Sequence, residues 1–108
     1  MKRNNLKSKI LKVCNLVNYS DNSVVSYTLI DNNNGTITLF AFDKGQSLSE
    51  HKAPFDAVAE VIDGEGIISI SGKEYKIASG ELIIMPAGKP HSVKARKRFK
   101  MILTMIRS

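Results

Sequence analysis

Short runs of apolar and β-branched residues, separated by turn residues, fill the chain from residue 24 onward. Residues 24–30 and 36–42 flank Asn34-Gly35, a pair that tolerates the positive φ angles of a tight turn, and they predict a β-hairpin. Further strands are predicted at residues 57–62, 67–70, 75–77 and 82–85, with turns at 63–66 and 71–74. Strands of this length and spacing predict an all-β sandwich or barrel.

The last predicted strand, residues 99–106, is more apolar than one buried face requires. Alternate residues of a strand point to opposite faces. One face would carry Phe99, Met101, Leu103 and Met105, and the other Lys100, Ile102, Thr104 and Ile106. The half-apolar second face predicts another burial surface, most simply a subunit contact.

The N-terminal segment has an ambiguous pattern. Its apolar residues are Leu6, Ile10, Leu11, Cys14 and Val17, a spacing close to that of a helix. The segment is short and carries several charges, so we interpret it as a strand or an irregular arm, and the helix stays open. Across the chain, we expect one domain, in which residues 1–35 form the N-terminal arm and first strands and residues 36–108 form the barrel.

Composition narrows the environment of the protein. Apolar residues make up 43% of the 108 residues, and no run approaches the roughly 18 apolar residues of a membrane span. The basic N-terminus lacks the apolar segment and cleavage site of a secretory signal. Cys14 is the single cysteine, so no internal disulfide can form. These features predict a soluble cytoplasmic protein with no membrane partner.

Net charge is +6, which would favour nucleic acid as a partner if the charge were concentrated on one face. The one basic run, residues 94–100, is short, and we interpret it as a solvated hairpin turn between two strands. Aromatic residues amount to 6%, too few to suggest a base-stacking platform. Nucleic acid is therefore not an expected partner, and a regulator that acts on it is only the third hypothesis.

The only two histidines lie in a frame of glycines and prolines. The first part of the frame is Gly45, five residues, His51, and then Gly64, and the second part is Gly80, five residues, Pro86-x-Gly88, two residues, His91. This frame resembles the two motifs of the cupin superfamily, and the resemblance extends from about residue 36 to residue 106. The resemblance implies a small double-stranded β-helix, or jelly-roll barrel, of the cupin 2 conserved barrel type, and a homodimer, as its relatives often are.

The resemblance also implies four metal ligands, of which this chain keeps two. His51 and His91 stand at ligand positions, whereas Ala53 and Ala57 stand where the family pattern has histidine and glutamate. Ala95 replaces the asparagine of the second motif. No neighbouring carboxylate is a clear substitute. Glu60 has the opposite strand parity from Ala57, so it would point to the other face of the sheet. Glu50 and Asp56 have the opposite parity from His51, although Pro54 could disturb the register.

Two functions follow as hypotheses. The leading one is a small-molecule-binding cupin whose barrel pocket includes His51, His91, Met101 and Leu103. The alternative is a metal-dependent enzyme of the oxygenase or isomerase type, with His51 and His91 as an incomplete ligand set for one divalent transition metal, nickel, zinc, iron or copper. Whether the protein is an enzyme, its ligand and any third metal ligand are left open.

Overall fold

The computed structural model describes residues 6–107, and the regular secondary structure of this part of the chain is β strand apart from one 3₁₀ turn. Residues 1–5 of the predicted arm and residue 108 of the predicted barrel lie outside the described residues. The elements are a 3₁₀ turn (Val13–Asn15), β1 (Val24–Asn32), β2 (Gly35–Phe42), β3 (Ser47–His51), β4 (Ala57–Ile70), β5 (Lys73–Ala78), β6 (Leu82–Met85), β7 (His91–Lys94) and β8 (Phe99–Ile106). The all-β prediction is confirmed. Among these residues no helix is long and apolar enough to cross a membrane.

The strands form two antiparallel sheets that share β4. In the first sheet, the first half of β4 pairs with β6 and β8, β8 pairs with β2, and β2 pairs with β1. In the second sheet, the second half of β4 pairs with β5 and β7, and β7 pairs with β3. Side chains from both sheets enter one buried cluster between them. The predicted jelly-roll barrel is confirmed.

The β4 strand is continuous where the sequence predicted two strands separated by a turn at residues 63–66, so that prediction is wrong. A bulge between Val61 and Asp63, followed by a φ of +75° at Gly64, bends the strand from one sheet into the other without reversing it. A Cβ on Gly64 would lie 2.4 Å from the carbonyl oxygen of Arg98. Gly64 therefore allows β4 to bend between the two sheets, although the glycine-rich pattern of residues 63–66 is also typical of a turn.

One end of the barrel, which we call the phenylalanine end, is closed by two stacked rings. Phe42 and Phe99 are fully buried, with ring centroids 4.6 Å apart and planes 1° from parallel. Gly66 lies against this stack, since a Cβ there would lie 2.4 Å from the Phe99 ring. Complete burial of a phenylalanine side chain contributes about 1.5–3 kcal/mol, so this end is a main source of stability.

The opposite end carries the histidine of the second motif, and we call it the histidine end. The loop of residues 95–98 joins the Lys94 end of β7 to Phe99, so His91 lies at the other end of β7. His91 is opposite Ile70, the last residue of β4. In the first sheet, Gly64 of β4 is opposite Phe99 and Ala57 is opposite Met105, near the far end of β8, so Ala57 also lies towards the histidine end.

The basic run of residues 94–100 turns as predicted, but it is not a hairpin. It joins β7 and β8, which lie in different sheets and pair with other strands. Its charges are largely matched by acidic neighbours: Lys94 and Arg96 contact Glu74, and Arg98 contacts Asp43 through its Nε at 2.7 Å. The run therefore does not form a continuous basic face.

The described part of the N-terminal arm is irregular apart from its 3₁₀ turn. Of the structures considered for it, the irregular arm is therefore the correct one, and the strand and the α-helix are not. It packs on the outer surface of the first sheet, where Val17 forms a cluster with Leu39 and Ala41. The Nζ of Lys100, a residue only 8% exposed, donates to the carbonyl oxygen of Cys14 at 2.6 Å. The sequence analysis assigned the burial of the second face of β8 to a subunit contact. Around Lys100, this chain's own arm covers that face instead.

Candidate functional site

A β-bulge brings the two histidines together. Leu48 of β3 is opposite Val93 of β7, and His51 is opposite His91, so β3 uses three residues where β7 uses two. Leu48 packs against the core. Without the extra residue, His51 would point to the opposite face of the sheet from Leu48, away from His91. The sequence did not predict β3, because Ser47–His51 has a single apolar residue and no alternation.

The two imidazoles face each other through the same nitrogen. Their Nε2 atoms lie 3.1 Å apart, and the rings meet at 70° with centroids separated by 4.3 Å. The Nδ1 of His51 is 3.0 Å from the carbonyl oxygen of Ser49, and the Nδ1 of His91 is 3.3 Å from that of Lys89. The structure therefore places both predicted histidines in one site.

The two carbonyl contacts determine where the protons lie. A carbonyl oxygen only accepts hydrogen bonds, so each Nδ1 must carry its hydrogen and donate it. In the neutral state each Nε2 then presents a lone pair, and the two lone pairs point towards each other. Two acceptors at 3.1 Å need a shared proton, a metal ion or a donor group between them.

Burial distinguishes the two rings. His91 is 5% exposed, whereas His51 is exposed to solvent. Burial lowers the pKa of His91 below its usual range, and the positive charge of a protonated His51 lowers it further, while the contact with the Lys89 carbonyl opposes the shift. The pair therefore accepts one proton more readily than two.

Alanines occupy the other positions of the family's ligand pattern. Ala53 and Ala57 are 8% and 2% exposed, and neither has a donor atom in its side chain. Glu60 lies on the outer surface of the first sheet, and Asp56 accepts a hydrogen bond from the backbone of Ala87 at 2.8 Å. Within residues 6–107, no group of three His, Cys, Asp or Glu residues could hold a metal ion.

The two apolar residues expected in the pocket lie at different depths. Met101 is 1% exposed and is opposite Val61 and Phe40, next to the layer of the phenylalanine stack. Leu103 is half-buried and lies one pleat nearer the histidine end, opposite Ala59. Their role in a pocket stays a prediction. Cys14 is remote from the site, with its Sγ 3.4 Å from the carbonyl oxygen of Ile62 on the outer surface.

The donor set fits part of a metal site. With metal–nitrogen distances of about 2.0–2.1 Å and an angle of roughly 90–110°, two nitrogen ligands of one ion lie about 2.9–3.4 Å apart. The observed 3.1 Å falls in this range. The Ser49 and Lys89 carbonyls orient the rings as the outer partners of metal-binding histidines do. Nothing in the sequence indicates these two carbonyls, because every residue has a backbone carbonyl.

Solved structures resemble this chain over most of its length. A conserved protein of unknown function from Streptococcus pyogenes is 33% identical, covers 98% of this chain and 93% of its own, and superposes with a TM-score of 0.92. A cupin superfamily protein from Desulfitobacterium hafniense is 25% identical, with 94% of each chain covered and a TM-score of 0.89.

A third structure is a longer protein. The cupin 2 conserved barrel domain protein from Leptotrichia buccalis is 38% identical over 87% of this chain, with a TM-score of 0.85, and the match spans 46% of the Leptotrichia chain. Comparison with curated proteins gave no match. The family model for the cupin domain matches residues 38–107. Together with the barrel, these similarities show that the chain belongs to the cupin domain family.

Proposed function

We propose that this protein binds a small molecule at the histidine end of its barrel, in a pocket marked by His51 and His91. The observation that carries the proposal is the pair of Nε2 atoms facing each other at 3.1 Å. Their lone pairs converge and favour a hydrogen-bond donor or a cation between them. A ligand that presents such a group satisfies both nitrogens at once.

The surroundings of the pair favour a ligand with an apolar part. Ile70 is opposite His91 on the neighbouring strand, and Ala57 lies towards the same end of the barrel. Ala53 and Ala57 have shorter side chains than the histidine and glutamate of the family pattern. Leu103 and, below it, Met101 are the residues proposed to contact the apolar part of the ligand.

A divalent metal is the second candidate occupant, and a metal-dependent enzyme of the oxygenase or isomerase type is the second candidate function. The 3.1 Å separation of the nitrogens favours it. His51 and His91 would hold the ion, and the chemistry that such an ion supplies when bound is Lewis-acid polarisation of a ligand oxygen. Two imidazoles favour copper, nickel or zinc over iron. The chain itself would orient the imidazoles through the two backbone carbonyls.

A homodimer is also part of the proposal. Leu82, Ile84 and Ile106 are each more than half exposed, and they lie on strands of the first sheet. Their exposure leaves an apolar outer surface that the described part of the arm, from residue 6 onward, does not cover.

Native mass spectrometry of protein purified without chelator tests the site. We expect a bound mass that disappears in the His51→Ala, His91→Ala double variant and persists in Lys52→Ala, a matched control beside the site. The size of the mass separates a metal ion from an organic molecule. Titration with nickel, zinc, copper and iron, followed by calorimetry, then measures how tightly the pair holds each ion.

Each outcome decides between the two functions. An organic mass that requires the histidines supports small-molecule binding, and near-stoichiometric metal supports the metal-dependent enzyme. A bound mass that survives in the double variant contradicts the pocket at this place. Protein that carries no mass and takes up none of the four metals contradicts the metal site, and failure to bind any member of a small-molecule library by thermal shift contradicts the leading proposal.

A further inference from the structure

The loop between β6 and β7 is an exposed β-turn. The N–H of Lys89 donates to the carbonyl oxygen of Pro86 at 3.3 Å, and Gly88, the third residue of the turn, has a φ of +78°. A positive φ at the third position and not at the second, Ala87, is typical of a type II turn. We call these four residues the 86–89 turn. All four are exposed, so apolar packing contributes little to their position.

This turn supplies one of the two carbonyls that orient the imidazole pair. The oxygen of Lys89 accepts the hydrogen of His91 Nδ1 across 3.3 Å, just beyond the usual range of about 2.7–3.2 Å. The Nδ1 of His51 lies 3.0 Å from an oxygen of its own strand. Outward movement of the turn would therefore break the His91 contact first, and Nδ1 would no longer be the preferred site of the hydrogen of that ring.

A carboxylate fixes the position of the turn. The Oδ1 of Asp56 accepts a hydrogen bond from the backbone N–H of Ala87 at 2.8 Å. Beside it, the N–H of Gly88 donates to the carbonyl oxygen of Ala53 at 2.8 Å. Of these two bonds, only that of Asp56 comes from a side chain, so it is the one that depends on which residue the chain has at this position.

Pro86 explains why a side chain is needed here. β4 and β6 pair antiparallel, and Ala57 is opposite Met85, the last residue of β6. The next pair in this register would be Asp56 and Pro86, but proline has no N–H to donate. The ladder therefore stops, and the carboxylate of Asp56 accepts the next available N–H, that of Ala87.

The bonds to Asp56 and Ala53 join the segments next to both histidines. Both residues lie in the segment that follows His51, and the 86–89 turn ends two residues before His91. The chain after one imidazole is therefore cross-linked to the chain before the other, at the histidine end of the barrel. The pairing of β3 with β7 aligns the backbones of the two histidines, and the cross-link holds the carbonyl that orients the buried ring.

We propose that Asp56 is a positioning residue of the histidine site. By holding the 86–89 turn, its carboxylate keeps the Lys89 carbonyl against His91, and so keeps the hydrogen on Nδ1 and the lone pair of Nε2 directed at the partner ring. This role rests on the proposed pocket and deepens it, because Asp56 acts on the site only through the turn. The role requires a hydrogen-bond acceptor rather than a negative charge.

Long-range proton–nitrogen NMR spectra of the full chain, labelled with ¹⁵N at histidine, test this role. They are recorded in chelator at about pH 8, where histidine is largely neutral, and the ring-nitrogen shifts show which nitrogen carries the hydrogen. Wild-type His91 should carry it on Nδ1. In Asp56→Ala, His91 should become a mixture of both tautomers. Asp56→Asn should restore the wild-type spectrum, because an amide oxygen also accepts a hydrogen bond.

Two further variants separate the hydrogen bond from charge and from folding. Glu50→Ala is the matched control, because it removes an exposed carboxylate that has no hydrogen bond or ion pair within the described residues 6–107, and it should leave the His91 tautomer unchanged. Ala87→Pro removes the donor of the same bond, and proline is favoured at the second position of a type II turn. It should give the same mixture as Asp56→Ala, and the double variant should add nothing. Circular dichroism confirms that each variant is folded.

Calorimetric titration with zinc gives a second measurement. Removal of an outer partner of a metal-binding histidine usually costs about 10–100-fold in affinity. Zinc binding should therefore weaken by about 10–100-fold in Asp56→Ala and Ala87→Pro, and it should stay close to the wild-type value in Asp56→Asn and Glu50→Ala.

Three results overturn the role of Asp56. They are a His91 tautomer that is unchanged in Asp56→Ala and Ala87→Pro, an Asp56→Asn spectrum that matches that of Asp56→Ala, and a change in Glu50→Ala as large as that in Asp56→Ala. The spectra need neither a ligand nor a metal, so they decide this role even if the protein lacks the bound mass expected of the pocket. Failure of the positioning role and failure of the proposed function are therefore separately visible.

Discussion

The two ends of the barrel differ in what fills them. At the phenylalanine end, Phe42 and Phe99 stack at 4.6 Å, and Gly66 allows the Phe99 ring to approach the backbone. At the histidine end, the inward positions include Ala57 and an imidazole pair whose nitrogens face each other without a protein donor between them. The phenylalanine end is filled by buried aromatic rings, whereas the histidine end presents two Nε2 atoms that face each other.

This difference separates stability from function within one small fold. Burial of the stacked rings supplies free energy of folding without any exposed chemistry. The imidazole pair is oriented by two backbone carbonyls and the bulge in β3, and His51 is solvent-exposed. We therefore expect substitutions at the phenylalanine end to affect unfolding, and substitutions at the histidine end to affect binding.

The largest effect is expected from Phe99→Ala. Removal of a fully buried ring leaves a cavity beneath Phe42, and the free energy of unfolding should fall by about 3–5 kcal/mol in urea titrations. Phe99→Leu, which keeps much of the volume, should lose clearly less. A Phe99→Ala loss below about 1 kcal/mol would show that the stack is not a main source of stability.

Gly66→Ala should destabilise by about 1–3 kcal/mol, because the new methyl group would lie 2.4 Å from the Phe99 ring. The cause is steric, so a smaller side chain at residue 99 should relieve it. In a double-mutant cycle with Phe99→Leu, the two losses should be less than additive. Additive losses in the measured unfolding free energies would contradict the contact.

Stability should depend on pH through the histidine end. The pKa of His91 is lowered in the folded state from 6.5, so the unfolded chain binds more protons below that pH. The urea midpoint, measured in chelator, should therefore fall as the pH is lowered from about 7 to about 5. The His91→Gln variant should show a smaller decline, and an equal decline in both proteins would assign the effect to other groups.

The smallest effect on stability is expected from His51→Ala. The ring is exposed, and its substitution should change the free energy of unfolding by no more than about 0.5 kcal/mol. The same substitution should abolish the histidine-dependent bound mass. A large loss of stability in urea titrations would mean that the imidazole pair also supports the fold, and the contrast between the two ends would not hold.

Particular residues show how far the sequence could predict the structure. The resemblance of the glycines, Pro86 and the two histidines to the cupin motifs implied the barrel, and the apolar run at residues 82–85 predicted β6. The prediction of a turn at residues 63–66 is wrong, because a glycine with positive φ, such as Gly64, suits a bend within a strand as well as a turn. The sequence analysis did not predict β3, because a short strand that is stabilised by pairing with β7 needs no alternation of apolar residues.

The chemistry of the site divides in the same way. The sequence alone determined that the chain has two histidines and consists mainly of β strands, because these depend on residue identity and local pattern. The resemblance to the cupin motifs added that alanines stand at two ligand positions. Only the tertiary structure decided that the two Nε2 atoms meet at 3.1 Å, because their meeting depends on a bulge and on two backbone carbonyls. It likewise placed the N-terminal arm over Ile62 and left Ile10 exposed, since which surface covers another is set by packing between distant segments.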